Sequence, residues 1–167
     1  MAVAENPLTF AWLEVARLCN EFCDHCYADS GPKGTHGTMT VKDWVRVISE
    51  LSEIGACDVQ FIGGEPTLYP YLPALIRHAH ASGLSVEIFS NMTHVRAELW
   101  DVIRECEVKI ATSYYSDSAE KHDAVTNLRG SHKRFLPMCG PCGPCPPSVG
   151  HCDPSEADNP ATLGTPV

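Results

Sequence analysis

The sequence predicts an α/β fold built on a parallel sheet, because short apolar strands alternate with segments of helical periodicity. The strands are predicted over residues 8–16, 58–62, 84–89 and 108–112, with one helix in each interval. This βαβαβαβ order requires right-handed crossovers and brings the carboxyl ends of the strands to one edge of the sheet. Ligand sites of such folds lie at that edge, so the residues that follow each strand are the first candidates for function.

The first helix has the clearest signal of the three. Thr40 is placed to cap its amino end and Gly55 to end it, and between them apolar residues recur at helical spacing: Val41, Trp44, Val45, Ile48, Leu51 and Ile54. A second helix begins near Leu72 and ends before Gly83, and a third is predicted over residues 95–103.

Composition and charge describe an ordinary globular protein and exclude two classes of partner. The 167 residues are 44% hydrophobic and 20% charged, with a formal net charge of −9. An acidic chain without a basic stripe is unsuited to nucleic acid or to anionic lipid. No export signal and no membrane-spanning apolar run is present in the sequence, so we expect a cytoplasmic protein.

The chain divides near residue 134 into two parts of different composition. Residues 1–134 carry the strand and helix pattern, whereas residues 135–167 are rich in Pro, Gly and Cys and have no periodicity. Such a tail cannot form a core, so we expect it to be irregular and disordered. The abrupt change also predicts that the sheet is truncated before the fold is complete.

Three of the nine cysteines form a compact motif directly after the first strand. Cys19, Cys23 and Cys26 have the spacing C-x3-C-x2-C, and clustered cysteines in a reducing compartment are typical of metal sites. Three thiolates suit a 4Fe–4S cubane with one iron left free. A structural zinc ion would need a fourth ligand, for which His25 or His36 is available, and both readings stand at this point.

Polar and glycine residues follow the other strands. Gly63, Gly64, Glu65 and Pro66 come after the second strand, Ser90 and Asn91 after the third, and Ser113 after the fourth. Paired glycines let the backbone approach a ligand closely, although the same residues also make an ordinary turn into a helix.

The cysteine motif after the first strand and the GGEP motif after the second resemble the radical S-adenosylmethionine (SAM) superfamily. The resemblance implies a partial barrel in which Cys19, Cys23 and Cys26 hold a 4Fe–4S cluster. It further implies that the free iron binds SAM and that an external electron donor drives SAM cleavage to a 5'-deoxyadenosyl radical. In that family the GGEP segment binds the methionyl amino group.

The same resemblance gives roles to the remaining candidates. Ser90 and Asn91 would reach the ribose or the methionyl carboxylate, Ser113 would join them, and His25 would form a wall beside the adenine. The family's barrel has six strand-helix units, of which this sequence provides about four.

Residues 113–132 resemble radical SAM peptide maturases, which often carry a C-terminal SPASM or twitch domain. The match is carried by Ser113, Asp117, His122, Asp123, Gly130 and Ser131. It implies a ribosomally made peptide as the substrate. A non-catalytic fragment, or a protein that binds zinc or a structural cluster, is the alternative.

Four further cysteines lie in the tail, at positions 139, 142, 145 and 152. Their spacing, C-x2-C-x2-C-x6-C, could supply the ligands of an auxiliary cluster or a zinc ion. The surrounding Gly-Pro repetition favours a low-complexity segment instead.

Overall fold

Four parallel strands form one sheet, which confirms the predicted α/β fold class. A computed structural model describes residues 8–139, with side chains to residue 136. The strands are β1 (Phe10–Ala16), β2 (Asp58–Gly63), β3 (Ser85–Phe89) and β4 (Lys109–Ala111). They are hydrogen-bonded in the order β1-β2-β3-β4, so each strand pairs with the next one along the chain. The sheet is therefore an arc of successive right-handed strand-helix units.

Within residues 8–139, five α-helices accompany the strands, two more than the periodicity predicts. They are α1 (Val41–Glu53), α2 (Leu72–Ala81), α3 (Ala97–Glu105), α4 (Ala119–Thr126) and α5 (Ser131–Cys139). The predicted boundary at residue 134 falls inside α5, and Phe135 beyond it is buried. The side chain of Cys139 and the whole of Cys142, Cys145 and Cys152 lie outside the described residues.

The core lies on one face of the sheet, beneath the helices. Alternate strand residues point into it, and their partners come from α1, α2 and α3: Leu13, Val15, Val59, Phe61, Val86, Ile88 and Ile110 with Ile48, Leu75, Ile76, Leu99 and Ile103. On the opposite face Phe10 is 40% exposed and Trp12 is 69% exposed. None of the described helices is both long and apolar enough to cross a membrane.

The first turn of α1 shows how the sequence sets a helix boundary. Thr40 Oγ1 accepts a hydrogen bond from the Asp43 amide (3.3 Å), and Asp43 Oδ2 accepts one from the Thr40 amide (2.8 Å). This reciprocal capping box satisfies two amides that the helix itself leaves unpaired.

We expect Thr40→Ala to lower the free energy of unfolding by about 1 kcal/mol, because the Asp43 amide loses its acceptor. Urea unfolding followed by circular dichroism measures the change. Thr38→Ala, in the exposed loop just before the cap, is the matched control and should be neutral. Equal stability of the two variants would contradict the role given to the capping box.

Candidate active site at the carboxyl edge of the sheet

The cysteine loop leaves β1 and is held by the segment that follows it. The amides of Arg17 and Leu18 donate to the Thr35 carbonyl (2.8 and 3.1 Å), and the Cys19 amide donates to the Gly31 carbonyl (3.1 Å). These bonds pair the start of the loop, residues 17–19, with its end near residues 31–35. The backbone around Cys19 is therefore held in place at the edge of the sheet.

The carboxyl end of α4 supports the same loop from the other side. The Phe22 amide donates to the Thr126 carbonyl (3.0 Å), and the Asp24 amide donates to the Val125 carbonyl (3.2 Å). Asn127 Nδ2 in turn donates a hydrogen bond to the Phe22 carbonyl (2.9 Å). The last carbonyls of α4, which a helix leaves free, are thus used to position the cysteine loop.

Gly63 and Gly64 pack directly against the start of that loop. The Gly64 amide donates to the Ala16 carbonyl (2.6 Å), and the Glu65 amide donates to the Leu18 carbonyl (2.9 Å). A β-carbon at position 63 would lie 2.2 Å from the Ala16 oxygen, and Gly63 has a φ of +134°. The glycines therefore permit close contact between the ends of β1 and β2, in addition to bordering the cavity described below.

Glu65 is fully buried and joins the end of β2 to the end of β3. The Thr67 amide (3.0 Å) and the Ser90 hydroxyl (2.8 Å) donate to its Oε1, and the Asn91 amide donates to its Oε2 (2.8 Å). Burial raises the pKa of Glu65, and the hydrogen bonds act in the opposite direction. Its carboxyl group is thus committed to protein donors.

Asn91 is placed close to the cysteines. Its Nδ2 donates to Asn20 Oδ1 (2.9 Å) and lies 3.8 Å from Cys19 Sγ, while its Oδ1 accepts from the Thr93 amide (3.0 Å). The end of β3 is therefore linked to the cysteine loop through one amide side chain.

One cavity of about 190 Å³ collects most of the predicted site residues. It is lined by Cys19, Cys23, Cys26, His25, Gly63, Gly64, Ser90, Asn91 and Ser113. Glu65 and Pro66 do not line it: Glu65 is buried behind the glycines, and Pro66 begins a short 3-10 turn, Pro66–Leu68. The topology has brought residues from the ends of all four strands to one place, as a parallel sheet requires.

Two residues of the cavity wall carry chemistry that the sequence did not single out. Glu21 and Tyr115 line it together with apolar side chains from the strand ends, and His122, which the family resemblance had named, lines it as well. Glu21 could have been noticed as an acidic residue between two cysteines, and Tyr115 as the second residue after Ser113. Their burial depends on the path of the loops, which the sequence pattern does not reveal.

The cavity is a poor environment for negative charge. Burial raises the pKa of Cys19 to about 11, and burial together with Glu21 raises that of Cys23 to about 12. Burial and the neighbouring Glu65 raise the pKa of Glu21 to about 7. The two thiols therefore hold their protons at neutral pH until a metal centre displaces them.

The donor set fits an iron-sulfur cluster. Three soft sulfur ligands face one cavity, and amide groups already point at two of them: Glu21 N lies 3.4 Å from Cys19 Sγ, and Ser30 N lies 3.4 Å from Cys26 Sγ. Within residues 8–136, no three His, Cys, Asp or Glu side chains are grouped as around a single metal ion. A cubane does not need that grouping, because each cysteine binds a different iron.

His36, one of the two histidines available to a zinc site, does not line the cysteine cavity. Its ring packs edge-on against Tyr69, with the ring centres 5.3 Å apart. His25 does line the cavity and packs edge-on against Tyr115 at 5.0 Å.

A larger, more open depression of about 630 Å³ lies beside the cysteine loop. Arg17, Lys33 and Thr35 are on its wall, and none of the three cysteines is. Its size alone does not make it the site, since the residues from the strand ends converge on the smaller cavity.

Half of the six residues that carry the peptide-maturase resemblance, namely Asp123, Gly130 and Ser131, have a structural role at the turn between α4 and α5. Asp123 accepts hydrogen bonds from the Gly130 and His132 amides and from the Ser131 hydroxyl, and the two backbone donors lower its pKa. Asp117 hydrogen-bonds with the adjacent Ser116. Of this group, His122 and Ser113 reach the cavity.

Comparison with known proteins agrees with this architecture. A "PqqA peptide cyclase" of Bradyrhizobium diazoefficiens is 29% identical over 127 residues, covering 74% of this chain and 33% of the relative. An "AdoMet-dependent heme synthase" of Oleidesulfovibrio alaskensis is 31% identical over 127 residues, covering 75% of this chain and 32% of the relative. The chain thus spans about a third of the length of these relatives.

Among solved structures, Streptococcus suis SuiB bound to SAM superposes with a TM-score of 0.66 at 17% identity. The match covers 76% of this chain and 29% of SuiB, and SuiB bound to its precursor peptide SuiA gives the same TM-score. At 17% identity, this similarity establishes a shared fold and nothing further. The sequence profile of the radical SAM superfamily matches residues 13–139, which is most of the chain. On this match, and with the cysteine loop at the predicted strand end, the chain belongs to the radical SAM superfamily.

Proposed function

We propose that this chain provides the cluster-binding and SAM-binding part of an enzyme that modifies ribosomally made peptides. The observation that carries the proposal is the single cavity shared by three cysteines, two glycines and the polar residues that end β3 and β4. Family membership brings the two cofactors, a 4Fe–4S cluster and SAM.

In this proposal Cys19, Cys23 and Cys26 are the cluster ligands, and the adjacent wall receives SAM. A cluster held by these residues would, when reduced, supply the electron for cleavage of SAM to a 5'-deoxyadenosyl radical. Gly63 and Gly64 offer backbone groups to the methionyl part, and Asn91 and Ser113 offer polar side chains. Glu65 acts through others, by fixing Ser90 and the Asn91 backbone.

Pre-formed packing around the cavity would hold these groups in place. Catalysis of this type depends on position and on exclusion of water more than on acid-base groups of the protein. The loop is fixed by β2, by α4 and by its own return segment, so the protein does not need to order it when the cofactors bind.

The charge on the sheet face opposite the helices favours a peptide over a tetrapyrrole, the substrate class that the heme-synthase relatives suggest. In the strand register, Glu14, Asp58 and Glu87 share this face with the single cation Lys109, and Ile62 and Phe89 continue it to the cavity. The propionates of a tetrapyrrole would meet mostly negative charge there, whereas a peptide with neutral or basic side chains would not.

We also propose a cytoplasmic location, because three free thiols need reducing conditions, and an external one-electron donor as the partner. Residues 1–134, extended to the end of α5, form the proposed catalytic core.

Electron paramagnetic resonance (EPR) of the anaerobically reconstituted full chain tests the proposal. We expect about four irons per chain and a reduced 4Fe–4S signal that changes when SAM is added, because SAM binds the free iron. The combined Cys19→Ala, Cys23→Ala and Cys26→Ala variant should bind no cluster iron and give no reduced 4Fe–4S signal. A signal indifferent to SAM would favour a structural cluster, and zinc in place of iron would favour a non-catalytic metal-binding protein.

A further inference from the structure

The sheet face opposite the helices carries an exposed aromatic pair on its first strand. Trp12 is 69% exposed and Phe10 is 40% exposed, and their rings meet edge-on with the ring centres 6.0 Å apart. The other two tryptophans of the chain, Trp44 and Trp100, are buried. The Trp12 indole therefore offers its flat surface to a ligand, and the neighbouring phenyl ring supports it in one orientation.

Glu14 is the next residue of β1 on this face. Residues two apart in a strand point to the same side and lie about 6.5 Å from each other, so one long side chain can touch both Trp12 and Glu14. Glu14 is exposed, and within residues 8–136 its carboxylate has no ion pair and no hydrogen bond.

The remaining charges of the face do not neutralise Glu14. Lys109 Nζ lies 3.9 Å from Asp58 Oδ1, which commits the single cation of the face to another carboxylate. Glu87 accepts a hydrogen bond from the neutral amide of Gln60. Two of the three carboxylates on this face are thus left without a cation, and the face is complementary to a positively charged ligand.

Glu14 also lies beside the cysteine cavity. In the strand register it pairs with Ile62, which lines that cavity, and neighbouring strands are about 4.8 Å apart. A side chain held by Trp12 and Glu14 therefore brings the molecule that carries it to the place where the proposed chemistry occurs.

We propose that Trp12 and Glu14 bind a basic side chain, arginine or lysine, of the peptide substrate and so select the segment that enters the cavity. The cationic group pairs with the Glu14 carboxylate. The side chain lies along the indole, whose ring face attracts a cation and whose apolar surface covers the methylene groups. This inference deepens the proposed function and rests on it, because it takes a peptide as the substrate.

Fluorescence titration of the reconstituted full chain with two capped pentapeptides tests the inference, since Trp12 is exposed and the other two tryptophans are buried. Both peptides consist of glycine and valine around a central residue, which is arginine in one and its neutral analogue citrulline in the other. We expect the arginine peptide to bind about tenfold more tightly. The difference should shrink in about 1 M salt, where the Debye length is about 3 Å.

Substitutions at Glu14 separate the carboxylate from the rest of the face. Glu14→Gln removes the charge with little change of volume and should reduce the preference for arginine to about twofold, which the indole alone provides. Glu53→Gln, at an exposed glutamate at the end of α1, is the matched control and should keep the full preference. Glu14→Lys should reverse the preference, because the arginine peptide then meets a like charge.

Equal binding of the two peptides by the wild type would overturn the inference, as would a preference that survives both changes at Glu14. If the EPR signal of that wild-type chain still changes with SAM, the proposed function stands. A wild-type chain without a cluster would reject the proposed function and, with it, the peptide as a substrate. Trp12 emission that changes with protein concentration in the absence of peptide would mean that a second copy of the chain covers this face, which would also overturn the inference.

Discussion

Glu65→Ala should lower the free energy of unfolding by about 3–5 kcal/mol and remove the response of the cluster signal to SAM. The substitution leaves the Thr67 and Asn91 amides and the Ser90 hydroxyl without their acceptor in a fully buried place. Each unpaired buried donor costs about 1–3 kcal/mol, which is large against the 5–15 kcal/mol typical of a whole domain. Urea unfolding and EPR with SAM measure the two effects.

Two further variants separate the hydrogen bonds of Glu65 from the loss of a side chain. Glu65→Gln preserves volume but presents an amide NH₂ to groups that are themselves donors, so we expect an intermediate loss of stability. Glu53→Ala removes an exposed glutamate at the end of α1 and should change stability by no more than about 0.5 kcal/mol. If Glu65→Ala were as stable as Glu53→Ala, the carboxyl group would not be joining the two strand ends.

The hydrogen-bond partners of Glu65 could not be predicted from the sequence. The family resemblance predicts that the GGEP segment, which contains Glu65, binds the methionyl amino group, and the spacing of Glu65 after β2 is sufficient to locate it at the sheet edge. Which way the side chain turns depends on Ser90 and Asn91, which are 25 and 26 residues away in the chain. Contacts over such separations are set by the register of neighbouring strands and are not encoded in a local pattern.

The strands and the first three helices could be predicted because their apolar residues repeat with the period of the element. For α1 the capping residue is also correct, since Thr40 accepts from Asp43 as a capping threonine should. The structure differs at the ends by one or two residues, where hydrogen bonding rather than burial decides the boundary.

The last two helices could not be predicted in the same way. In α4 the buried residues are His122 and Thr126, so no apolar stripe marks it. Its stability comes from tertiary contacts. The final carbonyls of α4 accept hydrogen bonds from the cysteine loop, and Asp123 accepts hydrogen bonds from Ser131 and His132. In α5 the composition changes after residue 134, so the sequence pattern does not mark Phe135 as a core residue. Its ring stacks on that of Tyr114, with the ring centres 5.6 Å apart.

Gly64→Ala should destabilise the chain by about 1–3 kcal/mol and prevent assembly of the cluster, because the added β-carbon meets backbone that cannot give way locally. It would lie 2.5 Å from the Leu18 oxygen, 2.8 Å from the Leu18 carbonyl carbon and 2.9 Å from the Arg17 oxygen. Relief requires the start of the cysteine loop to move away from β2. The Glu65–Leu18 backbone bond would then break, and Cys19, the next residue, would leave its place.

Gly55→Ala provides the comparison that distinguishes this displacement from general loss of stability. Gly55 has a φ of +90° and nothing within 4 Å of a β-carbon, so alanine there costs backbone strain of about 1 kcal/mol without touching the cysteine loop. Iron and sulfide content after reconstitution, measured beside urea unfolding, should fall in Gly64→Ala and stay at the wild-type level in Gly55→Ala. Full cluster content in Gly64→Ala would mean that the cysteine loop does not depend on its contact with β2, and that the glycine is required only where the backbone meets the ligand.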